Sequence, residues 1–348
     1  MTVLVAMSGG VDSSVAAAVV KAEGHDVVGV TLKLWAGPRG ELPTAGCCTV
    51  SDAEDARRVA AQLDIPYYVL DYTEDFSMGV IDRFVDDYTH GRTPNPCVEC
   101  NRTVKFSRLL QQAAEFGCET VVTGHYARVV SVAGRHRLYR GADPDKDQSY
   151  VLSMLGQDEL ARVRFPVGEH DKSETRRIAS ELGLRTASKP ESMDICFVGA
   201  RDYRSFLREH AGVECEPGPV VDTSGTVVGS HAGIVDFTIG QRRGLGVALG
   251  EPRYVVDVIP ETATVVIGSK DALAVTQVDL DQVTSVSGTP IAGEVVAQYR
   301  AHGEPVPATV EGARVVFDEP QFAVAPGQTI AFYDGDEVLG SAIIRAAA

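Results

Sequence analysis

Two short runs of residues carry chemistry that a structural role does not call for. The first is Ser8-Gly9-Gly10-Val11-Asp12-Ser13-Ser14, between the apolar run Thr2–Met7 and an Ala- and Val-rich stretch. Glycines let the main chain come close to an anion and turn its N–H groups toward it. A helix starting there adds unpaired N–H groups and the positive end of its dipole, and the two serine hydroxyls add further donors. The run lacks the Gly-Lys-Ser/Thr ending of a Walker A loop. Its chemistry is a grip on phosphates. Asp12 is a candidate for binding Mg²⁺ or for stabilising the loop, with capping of the following helix as its alternative role.

The second run is Thr93-Pro94-Asn95-Pro96-Cys97-Val98-Glu99-Cys100-Asn101-Arg102. Two prolines stiffen it. Cys-x-x-Cys is expected to present two sulfurs on one side of a turn, beside Arg102 and Lys105, whose charge favours the nucleophilic thiolate. A zinc knuckle needs a second Cys or His pair at suitable spacing, and the sequence has none. Cys196 stands in Ser192-Met193-Asp194-Ile195-Cys196-Phe197-Val198-Gly199, where a buried thiol is the alternative to a reactive one. Cys118 and Cys215 read as packing residues, and Cys47 and Cys48 read either way. Seven cysteines, an odd number, with no secretion signal argue against a disulfide framework.

The elements that must position these residues follow from periodicity. Thr2–Met7 reads as a buried strand, and Val27–Leu32, Tyr67–Leu70 and Thr120–Thr123 read as further strands. Ser13–Glu23, Asp52–Leu63 and Phe106–Phe116 read as helices, the second with Ala53, Ala56, Val59, Ala60 and Leu63 on one face. This alternation predicts an α/β fold with a doubly wound parallel sheet, whose ligands sit at the carboxyl ends of strands. Ser8–Ser13 and Gly124-His125-Tyr126 both follow strands and so can share a site. Residues 168–186 read as a further helix, capped at Ser173 and stopped at Gly183. After about Val213, short alternating runs such as Tyr254–Ile259, Thr264–Ile267 and Thr329–Tyr333 predict all-β structure, with a break near Val275–Thr284 dividing it in two.

Residues 1–203 are therefore expected to form a nucleotide-binding catalytic domain, 204–278 a small central domain and 279–348 a C-terminal β-barrel. With 44% hydrophobic and 23% charged residues the chain reads as a folded, soluble protein. It has no run of the roughly 20 apolar residues that a membrane span needs. Its first apolar run is too short for a signal peptide, which predicts a cytoplasmic location. The net charge of −16 opposes RNA binding. The charge is uneven, however: residues 41–90 hold eleven acids against three bases, and residues 92–140 hold eight bases against three acids. Such a local basic segment forms either an RNA-binding face or a set of solvated arginines.

Together these motifs resemble the tRNA-specific 2-thiouridylase family of the ATP-pyrophosphatase group, whose pyrophosphate-binding loop Ser8–Ser13 matches. The resemblance spans nearly the whole chain. It is most specific at Lys146-Asp147-Gln148-Ser149-Tyr150, Phe237-Thr238-Ile239-Gly240-Gln241-Arg242 and Pro326-Gly327-Gln328. It implies that Cys100 is the catalytic nucleophile and that Cys196 accepts sulfur as a persulfide. It implies ATP contacts at Ala6, Met7, Ser8, Gly9, Gly10, Val11, Asp12, Ser13, Leu32 and Gly124. The tRNA contacts it implies are Asn95, Pro96, Cys97, His125, Lys146, Asp147, Gln148, Tyr299, Arg300 and Gln328. The C-terminal barrel would help hold the tRNA. Many members carry Asp where this chain has Cys97, so a rival reading makes Cys97, Cys100 and Cys196 three ligands of a [4Fe-4S] cluster with one open iron.

The expected reaction is ATP-dependent 2-thiolation of the wobble uridine of tRNA, with Mg²⁺ as counter-ion to ATP. A persulfide sulfur-donor protein and a disulfide reductant are the expected partners, and the enzyme is expected to be a monomer. Two readings of other classes are a ligase or amidotransferase of the same ATP-pyrophosphatase group acting on a small molecule, and a non-catalytic RNA-binding protein.

Overall fold

A computed structural model describes residues 1–36, 49–190, 195–198, 202–209, 211–247 and 250–348. Cys47 and Cys48, and Ser192–Asp194 and Gly199 of the Cys196 motif, lie outside the described residues.

Strands β1 (Thr2–Ala6), β2 (Asp26–Lys33), β3 (Tyr67–Asp71) and β4 (Thr120–Val122) form the first sheet. A fifth strand, Val163–Arg164, completes it beyond β4. All pairs are parallel, with Val5 opposite both Gly29 and Val122. The order is β3-β2-β1-β4 and then 163–164, so the chain reverses its winding between β1 and β4. The carboxyl ends of those two strands carry Ser8–Ser13 and Gly124–Tyr126, at the switch point where such sheets open a crevice.

Helices α1 (Val11–Ala22) and α2 (Val50–Gln62) pack on one face. Val3, Val5, Val15, Ala16, Val20, Ala56, Val59 and Ala60 form one buried cluster there. Thr49 and Asp52 cap α2 reciprocally, in a capping box that sequence reading passed over. The expected helix over 168–186 is shorter. It is α3, Lys172–Glu181, capped by Asp171, whose carboxylate accepts from Glu174 N at 2.7 Å, while Ser173 donates its hydroxyl to that same Asp171 carboxylate.

The hairpin β5 (Ala127–Val132) and β6 (Arg135–Arg140) leaves the first sheet altogether. After it come the short strand 163–164, called β7, and the central sheet. That sheet consists of β8 (Gly218–Asp222), β9 (Val227–His231), β10 (Tyr254–Ile259) and β11 (Thr264–Gly268), in the order β10-β11-β8-β9. Six more strands close into a barrel: β12 (Ala274–Ser285), β13 (Gly293–Gln298), β14 (Val306–Val310), β15 (Arg314–Phe322), β16 (Thr329–Asp334) and β17 (Glu337–Ala347). Closure comes from β12 pairing with both β15 and β17. β12 runs across the boundary expected at 278/279. Strand β6 adds to the barrel at β17, with Leu138 opposite Val338. One hydrophobic cluster accordingly runs from the first sheet (Leu4, Val121) through Leu138 and Tyr150 to Ala331, Tyr333 and Val338 of the barrel.

The barrel also grips the cysteine run. Thr93 N donates to Pro326 O at 2.8 Å, and Gln328 Nε2 donates to Thr93 O at 2.8 Å. Gly327 has φ +88°, and a Cβ on it would lie 3.0 Å from Arg92 Cβ and 3.0 Å from Thr93 N. Gly327→Ala therefore meets both a left-handed backbone and a clash. The expected loss of stability is about 1–3 kcal/mol, read as a lower denaturant midpoint at unchanged slope.

Candidate active site

The phosphate loop is a fixed piece of backbone. Gly9 has φ +73°, and a Cβ there would stand 2.1 Å from Asp52 O, at the start of α2. Lys189 Nζ ties the same point down. It donates to Gly9 O at 2.9 Å, Asp52 Oδ1 at 2.7 Å and Asp55 Oδ2 at 2.7 Å. Burial works against the Lys189 charge, but the two carboxylates outweigh it and hold its pKa above the ordinary lysine value. Within the loop, Ser8 N donates to Ser13 Oγ at 3.1 Å and Ser14 Oγ donates to Gly10 O at 2.7 Å. Gly10 caps α1 without a side chain, so the first-turn N–H groups have no side-chain cap and face the crevice end of β1. On the other side, Gly124 lies against the same turn, where a Cβ would be 2.6 Å from Ser13 N.

Asp12 does not cap the helix. Both its oxygens accept from Lys172 Nζ, at 2.8 and 2.9 Å, and Tyr126 OH donates to Oδ1 at 2.8 Å. Burial, followed by the neighbouring Asp12 charge, raises the Tyr126 phenol pKa, so it stays a donor.

These residues line a cavity of about 330 Å³. Nine of the ten expected ATP contacts line it (Ala6, Met7, Ser8, Gly10, Val11, Asp12, Ser13, Leu32 and Gly124). Gly9 supports the loop from behind. Val30, Leu32, Leu34 and Leu109 give one wall apolar character suited to a base, and Lys105, Lys146 and Lys172 supply cationic groups. Three residues expected to meet RNA, His125, Lys146 and Gln148, line the same cavity. His125 sits between the rings of Phe106 and Phe165, with centroids 5.8 and 6.0 Å away, and bonds Thr123 Oγ1 at 2.7 Å. Burial, then the Lys105 charge, lowers its pKa to about 3, so the ring is neutral at neutral pH. Gln148 is pinned to the Gly124–Tyr126 turn, accepting from Tyr126 N at 3.0 Å.

The Cys-x-x-Cys run is helical rather than an open turn. Asn95 caps it by accepting from Val98 N, Pro96 takes the first helical position, and helix 96–99 passes into a π-helical segment over 100–106. The two sulfurs are consequently not presented together: Cys97 is exposed, while Cys100 is 6% exposed among Val98, Val104 and the aromatic core. Asn101 is 1% exposed and donates to Val151 O at 2.9 Å, joining this helix to the Lys146–Tyr150 run. Half-buried Cys196 packs on the same core cluster as Cys100. Its neighbour Phe197 contacts Phe84, Phe76 and Trp35, with centroids 5.2, 5.7 and 6.5 Å apart. Neither Cys100 nor Cys196 lines the cavity.

The remaining expected RNA contacts are held by internal bonds. Asp147 accepts from Arg140 Nη1 at 2.8 Å, Gly141 N at 3.0 Å and Ser149 N at 3.0 Å, and its side chain is 8% exposed. It positions Lys146 and Gln148 rather than standing free. Arg140 also reaches Gln298 Oε1 at 3.3 Å, and Gln298 Nε2 donates to Arg300 O at 3.0 Å. Tyr299 and Arg300 thus connect to the cavity through Arg140 but do not line it.

A family model described as tRNA methyl transferase HUP domain matches residues 1–200. Others, described as tRNA methyl transferase PRC-barrel domain and aminomethyltransferase beta-barrel domain, match 204–269 and 275–344. The tRNA-specific 2-thiouridylase MnmA of Roseiflexus castenholzii is 48% identical to this chain, covering 97% of each. Those of Carboxydothermus hydrogenoformans and Geobacter metallireducens are 49% and 47% identical, each over 99% of this chain and 97% of theirs. The chain belongs to the tRNA-specific 2-thiouridylase family. In this thiouridylase-family chain, the expected parallel sheet, central domain and barrel are all present.

Sequence reading missed Lys172, Lys189 and the structural role of Asn101. Lys172 and Lys189 lie 160 and more residues from the loop they hold, with no local signal. Asn101 had one, as the residue following Cys100. Among the described residues no three His, Cys, Asp or Glu side chains converge as a metal-ligand group. Cys97 is exposed and Cys100 buried, an arrangement that does not favour the iron–sulfur reading. Asp12 is engaged by Lys172.

Two outcomes follow from this geometry. Gly124→Ala pushes a methyl into the α1 turn and is expected to weaken ATP binding by at least about tenfold, roughly 1.4 kcal/mol, measured by calorimetric titration. His125 binds fewer protons folded than unfolded between its unfolded pKa near 6.5 and about 3. Its contribution to stability is complete above that window and is lost as pH falls through it. His125→Phe should flatten the fall in unfolding free energy between pH 6.5 and 4.

Proposed function

We propose that this chain uses ATP to 2-thiolate the wobble uridine of tRNA. The observation that carries this reading is a single cavity with the phosphate loop on one wall and His125, Lys146 and Gln148 on another. A nucleotide and an RNA base can meet there. A ligase acting on a small molecule has no need of that second wall or of the barrel-braced cysteine helix, and a non-catalytic RNA binder has no need of the phosphate loop.

In the proposed reaction the uracil O2 attacks the α-phosphorus of ATP and pyrophosphate leaves. The Ser8–Ser13 backbone and the α1 terminus hold the departing phosphates, and Lys172 and Lys146 balance their charge. Magnesium bound to the ATP phosphates would neutralise further charge. The neutral His125 and the adjacent rings offer a dry, planar seat for a base drawn from its stack. A loop nucleotide leaves its stack at little cost. The terminal sulfur of a persulfide on Cys196, delivered by a donor protein, attacks C2 and AMP leaves. The Cys100 thiolate then attacks Cys196 Sγ, breaking the sulfur–sulfur bond. This frees 2-thiouridine and leaves a Cys100–Cys196 disulfide for a reductant to reopen. The shared core cluster of the two cysteines supports this pairing. Asn95, Pro96, Cys97, Tyr299, Arg300 and Gln328 would frame the tRNA around the cavity. The enzyme acts as a monomer in the cytoplasm, with domains at 1–203, 204–278 and 279–348.

Cys100→Ala and Cys196→Ala are each expected to lower thiolation at least about a thousandfold, with ATP affinity within about twofold of wild type. Thiolation is read by mass spectrometry of digested tRNA. Release of AMP should require tRNA, and release without it would favour the small-molecule ligase.

A further inference from the structure

The Phe237–Arg242 run has no part in the chemistry above, yet it builds a basic groove on the central domain. The groove is lined by Arg204, Arg208, Asp236, Gln241, Arg242 and Arg243. Two of its arginines are already neutralised: Arg208 pairs with Asp236, and Arg204 pairs with Asp202 at 2.9 Å. Arg204 also donates to Asp236 O at 2.9 Å and Gln241 Oε1 at 3.3 Å, which fixes the wall. Arg242 and Arg243 are exposed, and no carboxylate among the described residues pairs with either. On a chain of net charge −16, two adjacent uncompensated guanidiniums are an anion site rather than ordinary surface.

Its place in the fold points to the anion. Gly240, at φ +86°, lies so close to the barrel that a Cβ would come within 2.4 Å of Ala323 Cβ. Arg300 Nη2 donates to Ala323 O at 2.9 Å and Phe322 O at 2.7 Å, and Lys270 Nζ sits 5.3 Å above the Phe322 ring. Arg300 in turn connects through Gln298 and Arg140 to the cavity. Arg300 and Lys270 thus flank residues 322–323 of the barrel, against which the turn leading to Arg242 and Arg243 packs. We infer that the Arg242–Arg243 groove binds the sugar–phosphate backbone of the tRNA away from the reacting base, an inference that rests on tRNA being the substrate. Guanidiniums suit phosphate oxygens, and contacts of this kind set position and affinity without reading sequence.

The test uses the full chain, with Arg242→Ala/Arg243→Ala and Arg242→Lys/Arg243→Lys double variants. Binding of unmodified full-length tRNA and of a short anticodon stem-loop is measured over a range of salt, beside steady-state thiolation. The alanine variant should raise the KM for full-length tRNA about tenfold, leave kcat within about twofold, and reduce the salt slope by roughly one to two units. The lysine variant should restore most of the affinity. Stem-loop binding should change little, because the inference places this contact on tRNA backbone away from the reacting base. An unchanged KM and salt slope for full-length tRNA overturns the inference. So does a defect confined to sulfur transfer from a donor protein, with tRNA affinity intact, which would assign the groove to an acidic protein instead. Wild-type protein that neither binds nor thiolates tRNA would sink the functional reading itself, an outcome distinct from both.

Discussion

The central sheet and the barrel both pack closely against residues 91–94, at glycines where even a methyl group would crowd them. A Cβ on Gly91 would come 3.1 Å from Val258 Cγ1 and 3.3 Å from Pro260 Cγ of the central sheet. One on Gly327 would meet Arg92 and Thr93 from the barrel side, where Gln328 also bonds the Thr93 carbonyl. The segment that launches the Cys100 helix is therefore set by three bodies at once. Interfaces within a chain often permit relative motion. Here the hydrophobic cluster running from Leu4 to Tyr333 makes the first sheet and the barrel one packed unit. Tyr150, 2% exposed, adds a hydrogen bond to Thr329 O at 2.7 Å across that junction.

The same economy of space governs the nucleotide side. Gly9 rests on the start of α2, and Gly124 rests on the first turn of α1. The phosphate loop is wedged between two helices and the end of β4, and Lys189 locks it from outside. Backbone donors held this way need little rearrangement to meet an anion, which is the physical content of preorganisation. The cavity's lysines and its neutral histidine come from segments far apart in sequence, at 105, 125, 146 and 172, with His125 bonded to Thr123 and Lys172 to Asp12.

Charge is distributed to match. The chain is acidic overall, so attraction for a polyanion must come from local arrays. Several arginines of the basic stretch 92–140 are tied internally. Arg92 pairs with Asp86 and Asp87, Arg102 with Glu99 and Arg140 with Asp147. They build the site's frame, while Lys105, Lys146 and Lys172 line the cavity. Counting residues by stretch does not distinguish these two uses.

Local sequence by itself determined a good deal. Short apolar runs alternating with helical periodicity pointed to strands, and turns directly after β1 and β4 pointed to strand ends, so the parallel sheet and the phosphate loop were legible. The cysteines proposed for sulfur transfer were legible as a family resemblance. Their surroundings were not, because Asn95 and Pro96 start a helix where two prolines suggested a stiff loop, and burial then separates Cys97 from Cys100. Only the tertiary structure decided that the Ala127–Arg140 hairpin joins the barrel. Alternation gives a strand its faces but not its partner. It alone decided, too, that Lys172 answers Asp12 and Lys189 answers Gly9. Contacts across more than a hundred residues depend on where the chain returns, and no local pattern records that.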